Sequence, residues 1–170
     1  MKQAHSEHHE LIVRYQAKLL GHGALVLVIG LISGLMLIFS MLKGFVVWPI
    51  MDIPHELPGT VRGWKAAHVG GITNGLLIIV VALAMAKLPL TARAIKLVFW
   101  SLLATGWGNT LFYWGGNLSP NRGISFHANE YGETNFAGLI AFIGGGVPML
   151  FTILALVILA LAAFKKGAIR

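Results

Sequence analysis

The residues in this sequence best suited to chemistry are polar groups set inside apolar stretches: His22, His68, Asn74, Thr105, Asn109 and Tyr113. A strongly polar side chain in an apolar span is costly, so each is a functional candidate. An imidazole can ligate a metal or carry a proton. A carboxamide, hydroxyl or phenol can donate to an oxygen on which negative charge develops. Each also has a plainer use. His22, between Gly21 and Gly23, reads as a hydrogen-bonded histidine near a membrane interface. His68 is followed by Gly70, Gly71 and Gly75, which strip side chains from one helix surface. That surface permits close helix packing around the histidine, or a flat ligand held by it. Thr105, Asn109 and Tyr113 follow at i, i+4 and i+8 and form one polar stripe. The stripe can knit helices together or receive a buried polar substrate.

The elements that must position these groups are apolar helices. Of the 170 residues, 11% are charged and 56% hydrophobic, and the mean hydropathy is +0.77. A soluble monomer of this size could not bury that much apolar surface, so the composition predicts an integral membrane protein. The absence of Cys excludes disulfides, thiolate catalysis and Cys-ligated metals. The pI of about 10.1 follows from the flanking Lys and Arg and is read as membrane topology rather than nucleic-acid binding.

Charge-free runs place four spans at about 19–42, 66–86, 97–118 and 134–164, in a single all-α transmembrane domain over residues 1–170. The first run is too long for a signal-peptide core and lacks a cleavage pattern, so it is expected to be retained. The last is long for an upright crossing and holds Gly144-Gly145-Gly146 and Pro148, which predicts a tilted, kinked helix. Lys2, Arg14, Lys18, Lys87, Arg93, Lys96, Lys165, Lys166 and Arg170 fall on one side, against Lys43, Arg62, Lys65 and Arg122 on the other. Both termini are therefore expected in the cytoplasm. Trp48, Trp64 and Trp114 cluster toward the outer face, as interfacial Trp residues do. The outer segments, about 44–65 and 117–133, are rich in Pro and Gly and read as ordered turns without regular elements. The stretch with His5, His8 and His9 reads as a flexible, solvated tail rather than a metal site.

Gly63-Trp64-Lys65-Ala66-Ala67-His68-Val69-Gly70, then Asn74-Gly75, Gly106-Trp107-Gly108-Asn109 and Phe112-Tyr113 occur in order, before Asn117-Leu118-Ser119-Pro120-Asn121-Arg122-Gly123 and Phe126. With Gly21-His22-Gly23, this ordered set resembles the styrene oxide isomerase family of small bacterial membrane enzymes. The resemblance implies a multi-pass protein of the bacterial inner membrane, embedded in lipid, forming a homotrimer with haem b between subunits. It implies His68 as the axial ligand of ferric iron, and Asn74 and Tyr113 beside the epoxide oxygen, with Asn109 and Thr105 among the catalytic candidates. Arg122 is expected at the haem propionates, with Glu130 or Glu133 as alternative partners. The family carries an Asp where this chain has Thr105, which opens a difference in rate or substrate range.

The activity implied is isomerisation of an aryl epoxide to an aldehyde, for instance styrene oxide to phenylacetaldehyde, by Lewis-acid ring opening and a 1,2-hydride shift (a Meinwald rearrangement). The competing reading is a b-type haem electron-transfer subunit, which commonly clamps haem between two histidines. Here His22 and His68 should differ in height by roughly 25 Å, too far to share one haem within a chain. Helix geometry adds a further expectation. Six positions from His68 to Asn74 leave their side chains ~120° apart around the axis. A haem on His68 would then meet Asn74 and Tyr113 of a neighbouring subunit. The alternative is a site completed within one chain by helix bending.

Overall fold

The computed structural model describes residues 2–168. Four long helices run through them: α1 Lys2–Leu42, α2 Val61–Met85, α3 Ala92–Asn117 and α4 Phe136–Gly167. Two short strands, β1 Gly44–Val47 and β2 Met51–Pro54, separate α1 from α2. Three helix starts are set by side-chain caps. Thr60 accepts from Gly63 N at 2.9 Å, Thr91 from Ala94 N at 3.2 Å and Asn135 from Gly138 N at 2.8 Å. Each satisfies one of the backbone donors that a helix start leaves unpaired. The Thr60 cap begins α2 five residues ahead of the charge-free run.

α1, α2 and α4 are long and apolar enough to cross a membrane. α3, at 26 residues, has the length. Arg93 and Lys96 near its start, and Ser101, Thr105, Asn109 and Thr110 along it, break up its apolar run. Of these, Thr105 and Asn109 reach other helices in the site below. α4 continues through Pro148 as one helix.

Three expectations are corrected. The N-terminal stretch is not a flexible tail: α1 is helical from Lys2. No Gly or Pro interrupts residues 2–20, and Leu11, Ile12 and Tyr15 pack against the core, with the Tyr15 and Phe99 rings 4.5 Å apart. Among the described residues no group of three His, Cys, Asp or Glu side chains is placed to hold a metal. The segment after α1 is not turns alone. Phe45, Val46, Val47 and Ile53 favour extended backbone, and Phe45 pairs with Ile53 in an antiparallel hairpin. Trp48, at its tip, is exposed, whereas Trp64 is buried against Trp114, with ring centroids 5.1 Å apart. The Trp64 indole N–H donates to the Pro58 carbonyl at 3.1 Å. Trp64 is thus a packing residue rather than an interfacial anchor.

The core fills the end of the bundle where α2 turns into α3. Leu19, Val26, Ile78, Met85, Ile95, Val98 and Leu102 are fully buried there. Toward the hairpin end, small residues bring helices closer. A Cβ on Gly71 would lie 2.5 Å from Gly30 Cα, and one on Gly30 would lie 2.8 Å from Gly71 C. Between helices in lipid, association rests on such close packing rather than on a hydrophobic drive.

Gly71→Val should therefore force α1 from α2 and cost about 1–3 kcal/mol. Gly21, where an added Cβ would meet nothing within 4 Å, is the internal control. Gly21→Ala should leave stability unchanged or raise it by up to about 1 kcal/mol through helix propensity. Thermal unfolding of the detergent-solubilised protein separates the two, and an unchanged Tm in Gly71→Val would contradict the packing account.

Candidate active site

His68 projects from α2 toward α1. Its Nδ1 lies 2.8 Å from the Gly30 carbonyl oxygen. A carbonyl can only accept, so Nδ1 is the donor here, and in the neutral ring that leaves the lone pair on Nε2. The ring lies against Gly34, where a Cβ would come within 2.6 Å of Nδ1. Gly30 and Gly34 thus do separate work: one supplies the acceptor that fixes the tautomer, the other the space for the ring.

The opposite side of α2 meets α3. Asn74 is 8% exposed. Its Nδ2 donates to the Gly70 carbonyl at 2.8 Å, and its Oδ1 accepts from Asn109 Nδ2 at 3.0 Å. The Tyr113 ring packs directly on Gly70, where any Cβ would collide with it. Asn74, Asn109 and Tyr113 therefore gather along one α2–α3 seam. His68 does not join them: Gly70 and Asn74 lie ~160° and ~120° from it around the α2 axis.

The polar stripe of α3 divides. Asn109 and Tyr113 face α2, but Thr105 faces α4. Thr105 is fully buried, its hydroxyl 2.8 Å from the Ser101 carbonyl oxygen and 2.8 Å from Thr152 Oγ1. The Thr152 hydroxyl also donates to the Pro148 carbonyl at 2.9 Å, near the backbone that the proline ring leaves short of a donor. The 40° advance over each four-residue step carries Thr105 out of the seam. His22 likewise stands apart, its Nδ1 accepting from the Trp107 indole N–H at 3.2 Å.

A cavity of about 690 Å³ opens beside Tyr113 at the hairpin end. Ala66, Phe112 and Tyr113 form its apolar part, and Arg62, Asn117 and Arg122 its polar part. Asn117 ties the two helix ends together: Thr60 N and Thr60 Oγ1 donate to its Oδ1 at 2.8 and 3.1 Å. Asn117 Nδ2 is buried without a hydrogen-bond partner. The Arg122 guanidinium lies 3.7 Å from the centroid of the Tyr131 ring, on a backbone with φ of 59°. Tyr131, rather than Glu130 or Glu133, is the contact the structure gives it.

Thr152 and the Gly30–Gly34 pair escaped the reading of the sequence, and Trp107 and Asn117 entered it as motif members with no role assigned. The glycines did carry a signal, since Gly30-Leu31-Ile32-Ser33-Gly34 and Gly71-Ile72-Thr73-Asn74-Gly75 both have small residues four apart, the spacing of close helix contacts.

Long apolar helices around a buried seam of polar side chains, with a hydrogen-bonded histidine on the far side, define a helical membrane protein with polar groups gathered inside its bundle. A sequence profile of the styrene oxide isomerase family matches residues 15–164, and the chain belongs to that family. A styrene-oxide isomerase of Pseudomonas fluorescens is 30% identical over 151 residues, covering 89% of this chain and 88% of that protein.

Proposed function

We propose that this protein isomerises aryl epoxides to aldehydes, with styrene oxide to phenylacetaldehyde as the type reaction. The observation that carries the reading is the family match over residues 15–164, which takes in His68, Asn74, Asn109 and Tyr113. In this reading all four helices cross the bacterial inner membrane, both termini are cytoplasmic, and three copies associate. The positive-inside distribution of Lys and Arg supports the orientation.

The residues fit haem b. The proton on His68 Nδ1 leaves Nε2 free to ligate iron, with the Gly30 carbonyl as the outer-shell partner that orients such ligands. Arg62, Arg122 and the orphaned Asn117 Nδ2 are donors suited to carboxylate groups. Arg62, Gly63 and Ala66 lie 120–160° from His68 on α2, so roughly opposite sides of one helix carry the ligand and the cavity. A trimer would place the His68 side of one subunit against the cavity side of the next. Bound ferric haem supplies a Lewis-acid position for an epoxide oxygen.

Tyr113 and Asn74 supply what the chain itself contributes. The Tyr113 hydroxyl and an Asn74 N–H donate to the epoxide oxygen as the benzylic C–O bond breaks and its electron pair moves onto oxygen. The aryl ring spreads the positive charge left on carbon. Phe112 and Ala66 help to exclude water from that carbon. A hydride then passes from the terminal to the benzylic carbon and the carbonyl forms. No proton or electron is gained or lost overall. An electron-carrier reading is weakened by His22, which is engaged with Trp107 on α3 while His68 turns to α1.

The haem-loaded protein should convert racemic styrene oxide to phenylacetaldehyde with no reductant present. Product that appears only with a reductant, or none at all, would contradict the reading. Tyr113→Phe should slow turnover by about 10²–10³ while the absorption spectrum is kept. His68→Ala should lose the haem or its normal spectrum, and an unchanged spectrum would remove His68 as the ligand.

A further inference from the structure

We infer that Asn109 is a positioning residue: it holds the Asn74 carboxamide so that its N–H end, not its oxygen, is presented to the reacting epoxide. The inference rests on the epoxide isomerase reading and refines how its donors are arranged. A carboxamide has a donor end and an acceptor end of nearly equal size. Only the donor end can stabilise an oxygen that is gaining negative charge, and a rotated amide would repel it. In a membrane bundle, with little water to correct a wrong orientation, the choice must be built from protein groups.

Two contacts build it. The Gly70 carbonyl, one turn earlier on α2, accepts from Asn74 Nδ2 at 2.8 Å. Asn109, from α3, donates its own Nδ2 to Asn74 Oδ1 at 3.0 Å. Rotating the Asn74 amide would set oxygen against the Gly70 carbonyl and nitrogen against nitrogen at Asn109, so both bonds would be lost together. The Gly70 bond uses one of the two N–H groups on Asn74, which leaves the other for substrate. The bond from Asn109 also polarises the amide and strengthens that remaining donor. Tyr113, four residues beyond Asn109 on the same helix, sits on Gly70 itself. Both donors are thereby referenced to the same turn of α2, and Asn109 is the strut that joins the helices there.

The role separates Asn109 from the catalytic set. The bond from Asn109 Nδ2 to Asn74 Oδ1 is the contact that carries this role, so its effect passes through Asn74.

Asn109→Leu, with the same branched heavy-atom skeleton and no donor, should lower kcat about 10–100-fold, with KM within about threefold of wild type, because the donor is misaligned rather than the substrate excluded. The deciding measurement is the double-mutant cycle. Once Asn74 is Ala, the Leu substitution at 109 should cost nothing further. A purely structural contribution would instead multiply the two losses. Rates are taken per haem-loaded protein, and Asn109→Ala replaces the Leu variant if the latter yields no folded protein. A wild-type kcat in the single variant, or multiplied losses in the double, overturns the positioning role. A slow Asn74→Ala beside a wild-type Asn109→Leu removes only this inference. Wild-type turnover in Asn74→Ala removes Asn74 as a donor and this inference with it, whereas no conversion of styrene oxide by the wild-type protein removes the epoxide isomerase reading itself.

Discussion

The arrangement depends on the contact of two backbones at Gly30 and Gly71, where neither residue can carry a side chain. That contact brings α1 close enough for the Gly30 carbonyl to reach His68 Nδ1 at 2.8 Å and for Gly34 to lie against the imidazole. It commits one side of α2 to α1 and leaves the other to α3. The histidine and the donor seam are separated because each belongs to a different neighbour of the same helix. In lipid, where apolar surface alone does not select partners, small residues and interhelical hydrogen bonds decide which helices meet.

Polar groups are used sparingly and are largely paired. Asn74 is satisfied by Gly70 and Asn109, Thr105 by Ser101 and Thr152, and His22 by Trp107. A buried amide left without partners would cost about 1–3 kcal/mol. Asn117 Nδ2 is an exception, and it belongs to a cavity-lining residue at the hairpin end. The Thr134 hydroxyl is the other such group among the described residues, but Asn117 Nδ2 is the one beside the cavity with its two arginines, where an oxygen-bearing ligand would satisfy it. The hydrogen-bonding inventory therefore points to the same end of the molecule as the Tyr113 wall does.

The helices were legible because charge bounds each apolar run, and in a membrane protein charge marks where the bilayer must end. The extension of α1 back to Lys2 was not, because helix propensity over residues 2–18 is overlooked once polarity suggests a tail. The hairpin was hidden by Pro49 and Pro54, which read as turns although the neighbouring Phe45, Val46, Val47 and Ile53 favour strands. Within the site, Asn74, Asn109 and Tyr113 could be picked out as polar groups in apolar surroundings, and the structure gathers them. Thr105 stood in the same stripe by spacing alone. Which helix a residue meets depends on where that helix crosses its neighbours, and a single sequence does not carry crossing positions. Thr152, one hydroxyl among many apolar residues of α4, had no partner in the sequence to give it meaning.

In the proposed trimer, one subunit presents His68 while the next presents Asn74 and Tyr113, because His68 lies on the α1 side of α2 while Asn74 and the α3 residue Tyr113 lie on its other side. This division is tested most directly by assembling mixed trimers from a His68→Ala chain and a Tyr113→Phe chain, each slow or inactive alone. In a closed ring of three, every mixed assembly holds one junction where an intact His68 meets an intact Tyr113, so random mixing should restore about a quarter of the wild-type sites. Recovery of styrene oxide isomerisation toward that level is the predicted result. Activity equal to the sum of the two parent variants would contradict it and place each complete site within a single chain.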